Sequence, residues 1–151
     1  MSGDTSAVLI RRAREDADMT QLDVARRTRI QQPRLSQYET GSVTPSNATL
    51  ARILRETRIR PSVRLEVLQD DVKRIADVYG ARDVWVFGSC AEGTDTSDSD
   101  VDLLIDFNVE TSTFDIVHLI DELQDLLGVP VDIVTTQAES ATSIMAQAVK
   151  L

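Results

Sequence analysis

The densest chemistry in this 151-residue chain lies in one stretch, VFGSCAEGTDTSDSDVDLLIDF, residues 86–107. Asp100 and Asp102 stand two apart at the head of an apolar run formed by Val101, Leu103, Ile105 and Phe107. On a strand, alternate side chains share a face, so both carboxylates point the same way with Cα atoms about 6.6 Å apart, at ~3.3 Å per residue. Two carboxylates at ~4 Å and an effective dielectric of ~20 repel by ~4 kcal/mol before screening, and a divalent cation reverses that sign. Hard oxygen ligands suit Mg²⁺, which keeps waters and shares substrate phosphates. Upstream, a compact apolar strand over residues 84–87 breaks at Gly88 and Ser89. A turn from that strand into a helix aims backbone N–H groups and the Ser89 hydroxyl at an anion. Phosphate and metal would then meet in one cleft. An Asp-rich run is ordinarily a solvated loop; the position of this one, opening an apolar strand just after a Gly-Ser break, argues for a site.

Other chemistries fail at specific positions. Asp98, Asp100 and Asp102 begin like an EF-hand loop, but Leu103 stands where the turn needs glycine and no glutamate follows at the twelfth place. Gly88 and Gly93 have P-loop spacing, but Thr94 replaces the phosphate lysine. Asp106 lies four residues past Asp102, about 13 Å along a strand, too far to share its metal. Cys90, the single cysteine, cannot form an internal disulfide and has no basic neighbour to activate it, so it reads as a small core residue. His118 lacks partner ligands and reads as packed or exposed, and Trp85 reads as core.

A second constellation lies near the start. Gln31, Gln32, Arg34 and Gln37 crowd the exposed positions of one short helix, while Leu35 and Tyr38 face a core. Glutamine pairs bidentately with adenine and arginine with guanine, so this face can read base edges in a major groove. Arg11, Arg12, Arg26, Arg27 and Arg29 are placed in sequence to meet phosphates.

The elements that must position these residues follow from periodicity. Four short helical patterns fill residues 7–57. Thr20 is placed to cap the second, Pro33 sits in the first turn of the third with Gly41 as its stop, and Pro45 and Ser46 lead into the fourth. A further helix runs from Ser62 through Leu65, Leu68, Val72, Ile75, Ala76 and Tyr79 to Gly80. Strands are expected at 84–87, 100–107 and 131–135, with helices at 116–127 and 143–149. The charge divides the chain the same way: residues 1–60 carry 11 basic and 7 acidic side chains, residues 61–151 carry 5 and 18. A basic unit suits a polyanion, and a strongly acidic one repels it unless its carboxylates hold cations. The expectation is an all-α domain over 1–60 followed by a small α/β (α+β) domain over 61–151, its sheet order unreadable. No apolar run nears the ~18 residues of a membrane span and no signal-peptide order is present, so the chain is expected to be soluble and cytoplasmic.

Two resemblances sharpen this reading. TQLDVARRTRIQQPRLSQYETGSVTPSNATLARIL resembles the Cro/C1-type (XRE) helix-turn-helix domain, lambda-repressor-like in fold, across residues 7–57. By that resemblance Gln21 makes a backbone or edge contact, and Gln31, Gln32, Arg34 and Gln37 read a double-stranded DNA operator as part of a homodimer. Arg29 stands where the family often has glycine, which implies a less relaxed turn. Gly-Ser, a short gap, Asp-x-Asp on a strand and a later acid on another strand resemble the polymerase-β-like nucleotidyltransferases, and most closely the minimal nucleotidyltransferase (MNT) antitoxins, across residues 65–140. The resemblance implies a mixed sheet, with Gly88 and Ser89 holding a nucleoside triphosphate. It also implies that Asp100, Asp102 and Asp132 form the catalytic and metal-binding set for two Mg²⁺, Asp132 activating the attacking hydroxyl. The expected activity is transfer of AMP from ATP to a partner toxin, such as a HEPN-type ribonuclease, by an antitoxin that represses its own promoter. Cys90 and Glu92 stand where minimal-family members commonly carry arginines, and losing such a charge-assisted bond weakens triphosphate binding by at least about tenfold. A catalytically silent repressor that only binds a partner or ligand is therefore the alternative. A transferase toxin acting on tRNA is a third reading, opposed by the acidity of the second unit.

Overall fold

The computed structural model describes residues 2–151. The chain divides into two compact units, Met1–Val67 and Leu68–Leu151, the division falling inside the helix α5 (Pro61–Val78).

The first unit holds α1 (Gly3–Asp16), α2 (Gln21–Thr28), α3 (Gln32–Thr40) and α4 (Asn47–Glu56). Its helix ends are set by local chemistry. The Thr20 side chain accepts from the Asp23 amide while the Asp23 carboxylate accepts from the Thr20 amide, a reciprocal cap that satisfies two orphan donors. Ser46 caps α4 in the simpler way, and Gly41 ends α3 in the left-handed region. Two apolar groups form the interior. Leu9, Ala13, Leu54, Ile59 and Val63 make one, and Ile10, Val24, Ala25, Leu35 and Ile53 the other, with Ile30 and Tyr38 packed against it. The turn between α2 and α3 passes through Arg29 at φ +57°, ψ +31°. This is the strained position expected where glycine is the usual residue, and the left-handed conformation costs an L-residue roughly 1–2 kcal/mol.

The second unit carries β1 (Ala81–Phe87), α6 (Ser89–Glu92), β2 (Val101–Phe107), α7 (Thr113–Leu127), β3 (Val131–Thr135), α8 (Ala141–Met145) and β4 (Val149–Lys150). The sheet order is β3-β2-β1-β4, with β1 antiparallel to both β2 and β4 and β2 parallel to β3. It is therefore a mixed sheet. The parallel pair requires a crossover, which α7 supplies. Val101, Leu103, Ile105 and Phe107 are buried, as their alternation predicts, and Leu104 is fully buried as well. Leu119, Leu123 and Leu127 bury one stripe of α7. Three contacts hold the start of β3 in register: the Val131 amide donates to Gln124 Oε1 at 3.1 Å, the Val101 amide to the Pro130 carbonyl at 2.9 Å, and the Gly128 amide to the Gln124 carbonyl at 2.8 Å.

Three expectations need correction. The helix expected over 143–149 is split: α8 stops at Met145, and Val149 pairs with Val86 in β4. The open edge of β1 offers unpaired backbone groups that a β-branched residue fits well, and this outweighs helical spacing. Strand β2 starts at Val101, so Asp100 immediately precedes it. Trp85 is only half-buried, with Lys150 Nζ 5.7 Å from its ring centroid. Among the described residues no helix is long and apolar enough to cross a membrane.

Candidate functional site

The second unit's site is built by strand register. On one side of β2, parallel pairing sets Asp102 opposite Asp132, so two carboxylate-bearing residues lie on adjacent strands, about 4.8 Å apart. On the other side, antiparallel pairing sets Asp102 opposite Phe87, the last residue of β1. Gly88 follows at once, with φ +68° and ψ −152°, a region essentially reserved for glycine. A Cβ at this position would stand 2.6 Å from Asp102 Oδ2. Both backbone conformation and close approach thus demand glycine where the chain passes the acid. Ser89 then opens the four-residue α6, whose Ala91 and Glu92 amides are spent on the Gly88 carbonyl.

Electrostatics links all three acids. The Asp102 carboxyl is pushed above the ordinary aspartate range, first by burial and then by the charges of Asp132 and Asp100. Asp100 and Asp132 are exposed and Asp102 is half-buried. Among the described residues no three His, Cys, Asp or Glu groups are close enough as they stand to enclose a metal. The acids are therefore neighbours that feel one another without forming a closed cage. Their all-oxygen, all-anionic donor set fits a hard divalent cation, whose charge would remove the repulsion that raises Asp102.

The surrounding residues have other work. Asp106, on the same strand, is held by Arg82 Nη2 at 3.0 Å and accepts from Thr136 Oγ1 at 2.8 Å. Cys90 is buried, and its Sγ donates to the Asp100 carbonyl at 3.4 Å, which ties α6 to the residue leading into β2. That positioning role has no signal in the sequence, where Cys90 reads only as a small apolar residue. Glu92 is exposed at the end of α6, and His118 is exposed on α7.

In the first unit, Gln31, Gln32, Arg34 and Gln37 are all exposed along α3. Gln32 Nε2 donates to Gln21 Oε1 at 2.8 Å and Arg34 Nη1 to Gln37 Oε1 at 3.1 Å. Gln31 is the N-cap residue of α3 and makes no side-chain cap bond. Arg11, Arg26, Arg27 and Arg29 are exposed, whereas Arg12 is paired with Glu66 at 2.7 Å. Glu39, which carries no assignment from the sequence, is 7% exposed and accepts from both Arg14 and Gln21. The available signal was its position four residues after Leu35, on the inward stripe of α3.

Residues 65–150 match the nucleotidyltransferase domain family, more than half of the sequence. The chain belongs to that family. Ahead of its nucleotidyltransferase domain, residues 10–63 match the helix-turn-helix family, so a DNA-binding type of unit precedes the transferase fold. Protein adenylyltransferase MntA of Thermococcus cleftensis is 38% identical over 68 residues, covering 45% of this chain and 69% of that protein. MJ0126 of Methanocaldococcus jannaschii, provisionally named a protein adenylyltransferase, is 34% identical over 70 residues, covering 46% of this chain and 71% of its own length. A solved structure provisionally described as a minimal nucleotidyltransferase aligns with TM-score 0.51 at 35% identity, covering 58% of this chain and 95% of that one.

Proposed function

We propose that the chain is a DNA-binding antitoxin that transfers AMP from ATP to a hydroxyl of a partner toxin and represses its own promoter as a dimer. The observation that carries the transferase half is the register of Asp102 against Asp132 with Gly88 pressed against the same carboxylate. A phosphate chain laid on the Gly88–Ser89 bend would lie beside an acid cluster that is under-compensated in charge. That combination is useless for a solvated loop and suited to metal-assisted phosphoryl chemistry. The names of the similar proteins, protein adenylyltransferases, support a protein as acceptor.

In this reading Gly88 gives the triphosphate close access to backbone, and the Ser89 hydroxyl donates to a phosphate oxygen. Asp100, Asp102 and Asp132 would hold Mg²⁺, which when bound neutralises phosphate charge and lowers the pKa of a coordinated hydroxyl. Exposed Asp132 faces the acceptor hydroxyl and takes its proton as the oxygen attacks the α-phosphorus. One P–O bond forms to the acceptor, the α–β bridging P–O bond breaks, and pyrophosphate departs with the electron pair. Cys90 keeps the segment before β2 tied to α6, so Asp100 and Ser89 stay in one neighbourhood.

Exposed Glu92 favours a second reading, a silent transferase domain that only captures its partner. An anion in the Gly-Ser segment repels a triphosphate where an arginine would attract it. One experiment separates the two. The full chain is incubated with Mg²⁺, the product of the adjacent gene and, in turn, each of the four α-labelled nucleoside triphosphates, ATP first, with Asp102→Ala alongside. Label on the neighbouring protein that is lost in Asp102→Ala supports transfer. No label with any of the four nucleoside triphosphates overturns it in favour of capture.

A further inference from the structure

We infer that Glu39, a buried residue with almost no surface to offer DNA, determines which base Gln32 reads by fixing the orientation of two side-chain amides in series. The inference rests on α3 being the DNA-reading helix. Glu39 Oε1 accepts from Arg14 Nε at 2.6 Å and Oε2 from Arg14 Nη2 at 3.1 Å. Arg14 Nη1 also donates to the Met19 carbonyl at 3.0 Å, which anchors the guanidinium to the α1–α2 connection. Glu39 Oε2 accepts a further bond from Gln21 Nε2 at 3.0 Å, and Gln21 Oε1 accepts from Gln32 Nε2 at 2.8 Å.

The polarity of this relay is obligatory. A carboxylate paired with a guanidinium has only acceptors to offer, so Gln21 must turn its NH₂ inward and its carbonyl outward. That carbonyl can only accept, so Gln32 must turn its own NH₂ toward Gln21. The two ends of an amide have nearly the same size, and at an exposed position shape alone does not choose between its two rotations. Charge carried inward from Glu39 makes the choice. Gln32 is left with Oε1 and one N–H in a fixed left-to-right order, the donor–acceptor pair that meets adenine N6 and N7. Reversing the amide would swap donor and acceptor and remove the match. Glu39 is thus a positioning residue, and the ion pair with Arg14 holds it in place.

The test uses a pool of randomised ~20-bp duplexes from which the full chain selects its preferred sequence. The base pair read by Gln32 is the one at which Gln32→Ala loses discrimination. Glu39→Gln is expected to lose at least about fivefold of the discrimination at that base pair, the low end of what a bidentate pair contributes. Its affinity for unrelated duplex and its salt dependence should not change. In a Gln32→Ala background Glu39→Gln should have no further effect on discrimination. Gln21→Met, which leaves the Arg14–Glu39 pair whole, is scored only at the base pair read by Gln32, so that any DNA contact of Gln21's own does not count. It should show the same loss there and covers the case in which Glu39→Gln does not fold. Full discrimination in either folded variant, or losses that add in the double variant as a merely structural ion pair would give, overturns the inference. If the wild-type chain enriches no sequence at all, the DNA reading falls and takes this inference with it. Enrichment with undiminished discrimination in the variants sinks the inference alone.

Discussion

Replacing Asp102 by asparagine should stabilise the metal-free protein while abolishing transfer. Burial, then Asp132, then Asp100 raise the proton affinity of this carboxyl, so ionising it in the folded state costs free energy that the unfolded chain does not pay. Because Asp102 is only half-buried, the repulsion must be discounted for solvent: at ~5 Å and an effective dielectric of ~60 it is about 1 kcal/mol from the nearer neighbour. The asparagine side chain has the same shape and no charge, so in EDTA at pH 7 and low salt the variant should gain about 1 kcal/mol. For a cooperative unit of this size that is roughly 4 °C or more in Tm. The pH dependence has a definite sign. The penalty is absent below the ordinary aspartate range and develops as pH rises through the raised value, so the two melting curves should coincide near pH 3 and separate toward neutrality. Added Mg²⁺ should raise the wild-type Tm and leave the variant nearly unchanged. A variant less stable than wild type at pH 7 in EDTA, or a gap that persists unchanged at pH 3, would refute the claim that the acids repel one another across β2 and β3.

Gly88→Ala should lose about 2–3 kcal/mol in urea denaturation, from a conformation closed to alanine and a Cβ pressed on Asp102, and should lose Mg-ATP binding by calorimetry. Arg29→Gly should relieve the left-handed turn and raise stability by about 0.5–1 kcal/mol. The same change should lower the salt slope of DNA binding by about one if Arg29 meets a phosphate. Arg14→Met should cost about 3 kcal/mol, read in chemical denaturation, because it leaves the Glu39 carboxylate buried without its partner.

Local chemistry carried the first unit. Thr20, Pro33, Gly41 and Ser46 each act on neighbours within four residues, so the helix boundaries they set can be read from the chain directly. The same holds for the Gly88 break and the alternation along β2. What could not be read depends on partners distant in sequence. The pairing of Val149 with Val86 joins residues 63 positions apart, and no local pattern says that the edge of β1 is free to receive them. The opposition of Asp102 and Asp132 is likewise a fact of register, since periodicity shows which face each acid takes on its own strand but not which residue it meets. Glu39 was hidden for a related reason. A charged residue reads as solvent-facing until the guanidinium that lets it be buried, 25 residues earlier in the chain, is known to be adjacent.

The three-residue link from Gly128 to Pro130 looks like an ordinary surface connection, the kind that normally tolerates insertions. The anchoring of Val131 to Gln124 and of Val101 to Pro130 makes it otherwise. Lengthening it by one residue would put β3 out of phase with the pleat of β2, so that Val131 or Ile133 would take the place of Asp132 beside Asp102. Changes in length that drift has left in this segment should therefore come in pairs of residues, or be absent, in any descendant that keeps its chemistry.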